Sequence, residues 1–259
     1  RIIPYMYNNY INLINKQLFK LQIQKLFAKA HFEPDILWVG TPTAAILLDL
    51  FRVSLTVYHA VDRYSQFSFV NKQKILSFER AVANRADIVL CTSDAIKKDL
   101  NTYNQKIYII CHAVDFEHFN SALNSNFIPN DIKEIPKPIL GYFGGLFERV
   151  NYQLLIDTAH RYKNYSIVLI GKKVHKIENL ENLPNVYFLG QKNFNALPLY
   201  LNQFDVCLIP YHVNELMKGV DPIKLREYFC LGKPVVSVDI PEVRKLNKYV
   251  YLAKNKDDF

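Results

Sequence analysis

The chain has 259 residues, half of them apolar and 22% charged, with a net charge of +8 at neutral pH. That is enough apolar material for a sizeable core and a length that suits two folded units. No apolar run reaches the ~20 residues of a membrane-crossing helix, no signal-peptide pattern opens the chain, and no reader motif or aromatic-studded basic face marks a nucleic-acid binder. Cys91, Cys111, Cys207 and Cys230 are far apart in apolar surroundings without metal-ligand spacing, so reduced thiols, no metal site and the cytosol are expected. The positive excess suits a phosphate-rich partner or an anionic membrane face. The chain opens at Arg1 and stops at Phe259 just after a strand-like Tyr249–Leu252, and is expected to be a fragment.

From about Tyr5 to His31 the sequence has a helical period, with Ile11, Ile14, Leu18, Leu21, Leu26 and Phe27 on or near one face. Lys16, Lys20, Lys25 and Lys29 fall between them. The expected role is a helix packed on a sheet; the other reading is a basic surface touching membrane. Short apolar strands then alternate with helices: strands at Asp35–Val39, Ser54–Tyr58, Asp87–Cys91 and Lys106–Cys111, helices at Thr43–Phe51, Asn71–Arg85 and Ser93–Asn101, the last capped by Ser93. Residues 120–138 are Asn-rich with Pro129, Pro136 and Pro138 and read as a linker. The alternation resumes with strands at Pro138–Phe143, Tyr165–Ile170, Asn185–Leu189 and Asp205–Pro210, and helices at Asn151–Tyr162 and Leu197–Asn202. Such a series predicts α/β architecture with parallel sheets covered on both faces, in a first unit over 1–119 and a second over 139–259.

The last helix carries the most chemistry. Asp221 is placed to cap it, Pro222 sits where a missing N–H costs nothing, Gly232 ends it, and Pro234-Val235-Val236 starts a strand. The first turn of such a helix offers free amides and a positive dipole end to an anion such as phosphate, and Lys224 adds a charge there. Glu227, one turn on, can accept hydroxyl hydrogen bonds, as from a ribose. An ordinary capped helix with surface charges explains the same residues. Gly144-Gly145 after a strand leaves room for a ligand or simply makes a turn, and Arg149 can fork onto phosphate oxygens. His59 and Asp62 directly follow the strand Ser54–Tyr58, where ligands gather in parallel sheets; a loop histidine with an ordinary partner is the alternative.

Pro222, Lys224, Glu227-Tyr228 and Gly232 through Ser237 resemble the donor-binding segment of the family-4 retaining glycosyltransferases with the GT-B fold. Tyr142–Arg149, Asn185–Gly190, His59, Glu79–Asp87, Thr92-Ser93 and His112–Asp115 with Phe119 match that family in order. The resemblance implies two Rossmann-like lobes with a cleft between them, the amino-terminal lobe lacking its first strand and glycine-rich turn. It implies a nucleotide-sugar donor, a glycan or lipid-linked acceptor, transfer with retention, and no bound metal or other cofactor. By it, Glu227 holds the ribose with Asp221 and Pro222 beside it, while Gly144, Gly145, Arg149 and Lys224 meet the donor phosphates. His59 lies beside the donor sugar with Asp62 near the acceptor, Gly190 meets the nucleobase, and Tyr211 walls the cleft. The family's second glutamate, eight positions before Glu227, is here Gly219, with Glu215 off register. Alternatives are a nucleotide-sugar epimerase of the same fold and a non-catalytic donor-binding or membrane-associated module. Peripheral contact with the inner face of an anionic membrane, and no nucleic acid, complete the expected partners.

Overall fold

The computed structural model describes residues 9–174 and 176–259, so Tyr5–Asn8 of the expected first helix lie outside the described residues. The chain divides into two units, residues 1–111 and 112–259. In the first, α1 (Asn9–Ala30) leads to β1 (Ile36–Val39), and a 3-10 stretch of about two turns (Pro42–Leu47) leads to β2 (Leu55–Ala60). Then come α2 (Lys72–Arg85), β3 (Ile88–Cys91), α3 (Asp94–Leu100) and β4 (Ile107–Ile109). The four strands pair in chain order, all parallel. Asn71 caps α2 by accepting from the Lys74 amide at 3.0 Å, and Ser93 caps α3 from Ile96 at 3.3 Å. Tyr58, Ala60, Val82, Ala83, Val89, Cys91 and Ile96 form one core between sheet and helices.

Two expectations for this unit change. The helix expected over Thr43–Phe51 is replaced by the 3-10 stretch, because Leu48 turns extended and Asp49 takes φ +62°, which directs Leu48 and Leu50 inward. The first helix exists, but Ile14, Leu21 and Leu26 of its expected packed face are exposed, while Ile11, Leu18 and Phe27 are half-buried. Apolar residues occur all round α1, and no single neighbour covers a helix on every side.

The second unit opens with α4 (Phe116–Asn120), a 3-10 turn (Ser121–Asn124) and α5 (Asn130–Lys133). It continues through β5 (Ile139–Phe143), α6 (Tyr152–Arg161), β6 (Ser166–Ile170), α7 (Glu178–Glu181), β7 (Val186–Gly190), α8 (Leu197–Gln203) and β8 (Val206–Ile209). It ends with α9 (Ile223–Cys230), β9 (Val235–Val238), α10 (Pro241–Arg244) and β10 (Tyr251–Ala253). The sheet is parallel, in the order β10-β9-β8-β5-β6-β7. Every residue of β5 and β6 is buried, as both faces being covered requires.

The two compact units divide at Cys111/His112, and the stretch over 120–138, expected as a linker, packs within the second. Asp115 caps α4 by accepting from the His118 amide at 3.0 Å. Ala122 and Ile132 are buried, Asn202 donates to the Ala122 carbonyl at 3.0 Å, and Asp131 is bound by Lys192 at 2.5 Å and by the Tyr200 hydroxyl at 2.8 Å. A few apolar anchors and one carboxylate fix a segment whose bulk composition reads as a connector.

Candidate functional site

In the second unit three chain segments meet at the carboxyl ends of the strands. The first is the loop after β5, Gly144–Val150. It is held to the segment after β8 by a bridge between Val150 and Tyr211, by the His212 amide donating to the Arg149 carbonyl at 3.0 Å, and by the Asn151 amide donating to Pro210 at 2.8 Å. The third segment is the start of α9. A Cβ added at Gly144 would stand 2.1 Å from Lys224 Cε, so the lysine lies directly on the glycine backbone. Lys224 Nζ also sits 5.7 Å from the centre of the Tyr142 ring.

Neighbouring strand ends form a main-chain shelf. The Gly144 amide donates to Ile170 at 2.8 Å and the Gly171 amide to Gly190 at 2.9 Å. Gly171 has φ +151°, and a Cβ there would fall 1.9 Å from the Gly144 carbonyl oxygen, so only glycine fits. Gly190 is exposed at the end of β7. Gly145 has a different reason for being glycine: a Cβ there would meet the Phe147 ring at 2.2 Å.

The α9 start departs from expectation. Asp221 does not cap the helix; Pro222 occupies the N-cap, and no side chain caps the first turn. The Asp221 carboxylate instead accepts from the His112 amide at 3.0 Å and pairs with Arg226 at 2.7 Å. It braces the loop, and the first-turn amides stay open to an anion. At the other end Gly232 (φ +62°) closes the helix, its amide donating to Phe229 at 3.0 Å and that of Lys233 to Tyr228 at 3.2 Å, the paired bonds of a Schellman motif.

Glu227 is 7% exposed, and no hydrogen bond reaches its carboxylate among the described residues. Burial pushes its pKa up, and the charge of Lys224 pulls it partly back. Lys224 and Glu227 are three residues apart and share a helix face. Neither Lys224 nor Arg149 has a carboxylate partner at ion-pair distance among the described residues. The unit thus offers two cations, uncapped amides and a hydroxyl acceptor, the set that a nucleoside diphosphate needs. Gly219 is buried in a 3-10 turn, and Glu215 pairs with Lys218.

Tyr211 is corrected: at 1% exposure it belongs to the core, edge-on to Tyr142 at 6.3 Å, and walls nothing. The alternation of apolar residues around the β8 end does not tell a wall residue from a packed one. Tyr142, beneath the loop with its hydroxyl 3.3 Å from the Gly145 carbonyl, and Arg226, which fixes Asp221, were not evident from the sequence. The spacing of Arg226 from Asp221 was the available signal for the second.

In the first unit β2 runs to Ala60, so His59 is a strand residue and not a loop residue. Its ring lies edge-on to Trp38 at 5.7 Å. Asp62 stands in the turn after β2, its carbonyl accepting from the Tyr64 amide at 3.0 Å. The turn is clamped: Thr92 donates to Val61 at 3.0 Å, Tyr64 to Gly40 at 2.8 Å, and Arg63 pairs with Asp99 at 2.7 Å. Among the described residues no helix is long and apolar enough to cross a membrane, and no three His, Cys, Asp or Glu side chains gather at a metal-binding spacing.

Comparisons with known proteins bear on each unit. The model for Glycosyltransferase Family 4 matches residues 2–118, and that for Glycosyl transferases group 1 matches residues 137–259. TuaH of Bacillus subtilis, assigned to teichuronic acid biosynthesis as a glycosyltransferase, is 26% identical over 242 residues, 86% of this chain. The chain spans 60% of that relative's length. The structure of Anabaena Alr3699/HepE in complex with UDP and glucose superposes with a TM-score of 0.68 at 19% identity, over 91% of this chain and 69% of that one. Sucrose-phosphate synthase from Thermosynechococcus elongatus gives 0.70 at 15% identity, over 94% and 66%. At these identities the structural likeness shows the fold, GT-B with its two parallel-sheet units. With a family model on each unit, the chain belongs to the group 1 (family 4) glycosyltransferases of the GT-B fold.

Proposed function

We propose that the protein transfers a sugar from a nucleotide-sugar donor to a glycan or lipid-linked acceptor, with retention and without a bound metal. The observation that carries this reading is Glu227, which is 7% exposed, accepts no hydrogen bond from the described residues and lies one turn from Lys224. A carboxylate with no donor from the protein keeps its acceptor sites open to a ligand. Ribose hydroxyls would fill them. Arg149, Lys224 and the α9 amides would then face the diphosphate, whose negative charge grows as the glycosidic bond breaks. The second unit is the donor side in this reading. The first contributes His59 at the sugar and Asp62 at the acceptor, following the family resemblance. The HepE complex with UDP and glucose supports a nucleotide-sugar, and the TuaH assignment supports a cell-envelope polysaccharide. Action at the cytoplasmic membrane face, drawn by the +8 charge, fits a lipid-linked acceptor.

A thermal-shift panel of UDP-, GDP- and ADP-sugars tests it, with Glu227→Ala and Arg149→Ala beside the wild type. One nucleotide should raise the melting temperature, and both variants should lose the shift. No shift with any donor, from folded protein, overturns the reading. Release of free nucleotide only when an acceptor is added separates transfer from epimerisation.

A further inference from the structure

The second unit also has an open groove of about 500 Å³ where α9 stops and where β9 and β10 begin. It lies at the amino ends of these strands, whereas Gly144, Arg149 and Lys224 gather at the carboxyl ends of the same sheet. At ~30 Å³ per water the groove of about 500 Å³ holds about 17 waters, the size of a di- or trisaccharide.

The lining is aromatic and cationic. Tyr249 and Tyr251, two apart along the chain and so on one side of the β10 segment, are 69% and 73% exposed. Phe229, half-buried, stands edge-on to Tyr249 with ring centres 6.4 Å apart. A single exposed tyrosine needs no explanation, but two of them beside a phenylalanine on the wall of one groove make a platform. The side chains of Asn247, Lys248, Tyr249 and Tyr251 make no hydrogen bond among the described residues. Lys233, its ammonium donating to the Asn202 carbonyl at 2.7 Å, adds a second positive charge. Among the described residues no carboxylate lines the groove.

This set selects among ligands. A pyranose packs its C–H faces on aromatic rings, while its hydroxyls both donate to and accept from amide and phenol groups. An acid group on the sugar answers two lysines that no carboxylate of the lining offsets. An apolar ligand would strand the amide and the ammonium, and an anion without rings would leave the tyrosines bare.

We propose that this groove binds a short stretch of acidic glycan, pyranose units carrying a carboxylate or phosphate, at a distance from the nucleotide-binding residues. The assignment rests on the second unit alone and not on the transfer reading. The test is ligand-observed NMR on the whole chain with a glucuronate-containing disaccharide, the same disaccharide with its carboxylate reduced to the alcohol, and a sugar monophosphate. A short acidic peptide containing tyrosine represents the competing class of ligand, and nucleotide binding and melting temperature are followed in parallel. The acidic disaccharide should bind saturably, and its neutral counterpart several-fold more weakly. Tyr251→Ala should weaken the acid about tenfold, as uncovering one ring face implies. Lys248→Gln should weaken it about threefold and reduce its salt dependence, leaving the neutral form unchanged. Both positions are exposed, so melting temperature and nucleotide affinity should stay at wild-type values in each variant. Binding of the monophosphate in place of the glucuronate keeps the site and names phosphate as its anion. No binding of either acidic sugar, equal binding of acid and neutral forms, indifference to both substitutions, or tighter binding of the peptide overturns it.

Discussion

Replacing Glu227 by Gln keeps the shape of the side chain, removes its charge and turns one acceptor oxygen into a donor NH2, so it separates binding from stability. Hydrogen bonds to a charged acceptor contribute about 1.5–3 kcal/mol and neutral ones about 0.5–1.5 kcal/mol. The variant should therefore lose about 1–2 kcal/mol of nucleotide affinity, roughly 5- to 30-fold in Kd at ~1.4 kcal/mol per tenfold. Stability should move the other way. Burial raises the folded-state pKa of Glu227 above its unfolded value, with Lys224 opposing. For such a group the favourable contribution is complete below the unfolded pKa of about 4.3 and is lost as pH rises through the higher folded value. Glutamine has nothing to ionise. Above that window Glu227→Gln should melt no lower than wild type, and its melting temperature should respond less to pH between about 4 and 7. Melting curves across that range, with titration calorimetry of the nucleoside diphosphate found in the donor panel, read both effects. Affinity within twofold of wild type, or a variant several degrees less stable near neutral pH, would refute the reasoning.

Asp221→Ala should cost about 3–5 kcal/mol of second-unit stability in urea unfolding, because it strands the Arg226 partner and the His112 amide that the carboxylate now holds. Gly171→Ala forces a side chain into the Gly144 carbonyl at φ +151°. Backbone strain of about 1–3 kcal/mol plus the clash should lower the urea midpoint and weaken nucleotide binding together. Lys224→Met should weaken the nucleoside diphosphate about tenfold and flatten its salt dependence while leaving the bare nucleoside unaffected; equal losses for both would show that the lysine does not serve phosphate.

Where side-chain period and caps agree, the sequence predicts the structure well. Ser93 caps its helix as expected, Asn71 and Asn151, where two other helices are expected to start, cap them, and Gly232 ends α9 with the required positive φ. Such signals are local, carried by residues within one turn of each other. The errors come where a distant partner decides. Asp221 has the chemistry of a cap, but His112 and Arg226 claim its oxygens. Tyr211 follows a strand end as a wall residue would, but Tyr142 and Val150 draw it inside. The sequence places His59 one step beyond its strand, but β2 extends to Ala60. Over 120–138 the polar composition does not register that Asp131 is tied to Lys192 and Tyr200.

The order of strands in the second unit has a consequence for how the chain reaches this state. β5 emerges first yet lies inside the sheet, and its partner on one side is β8. The Asp205 amide reaches back to Ile139 at 2.9 Å, and Asp221 reaches His112 across 109 residues. Topologies dominated by such distant pairings fold slowly, because loop closure must precede the contacts that reward it. Meanwhile β5 and β6, apolar on both faces, have nothing to cover them and can adhere to other chains. Recovery of active protein from synthesis or refolding is therefore governed by concentration and temperature during the interval before the β8 and α9 segments close over the early strands, more than by the final stability of the fold.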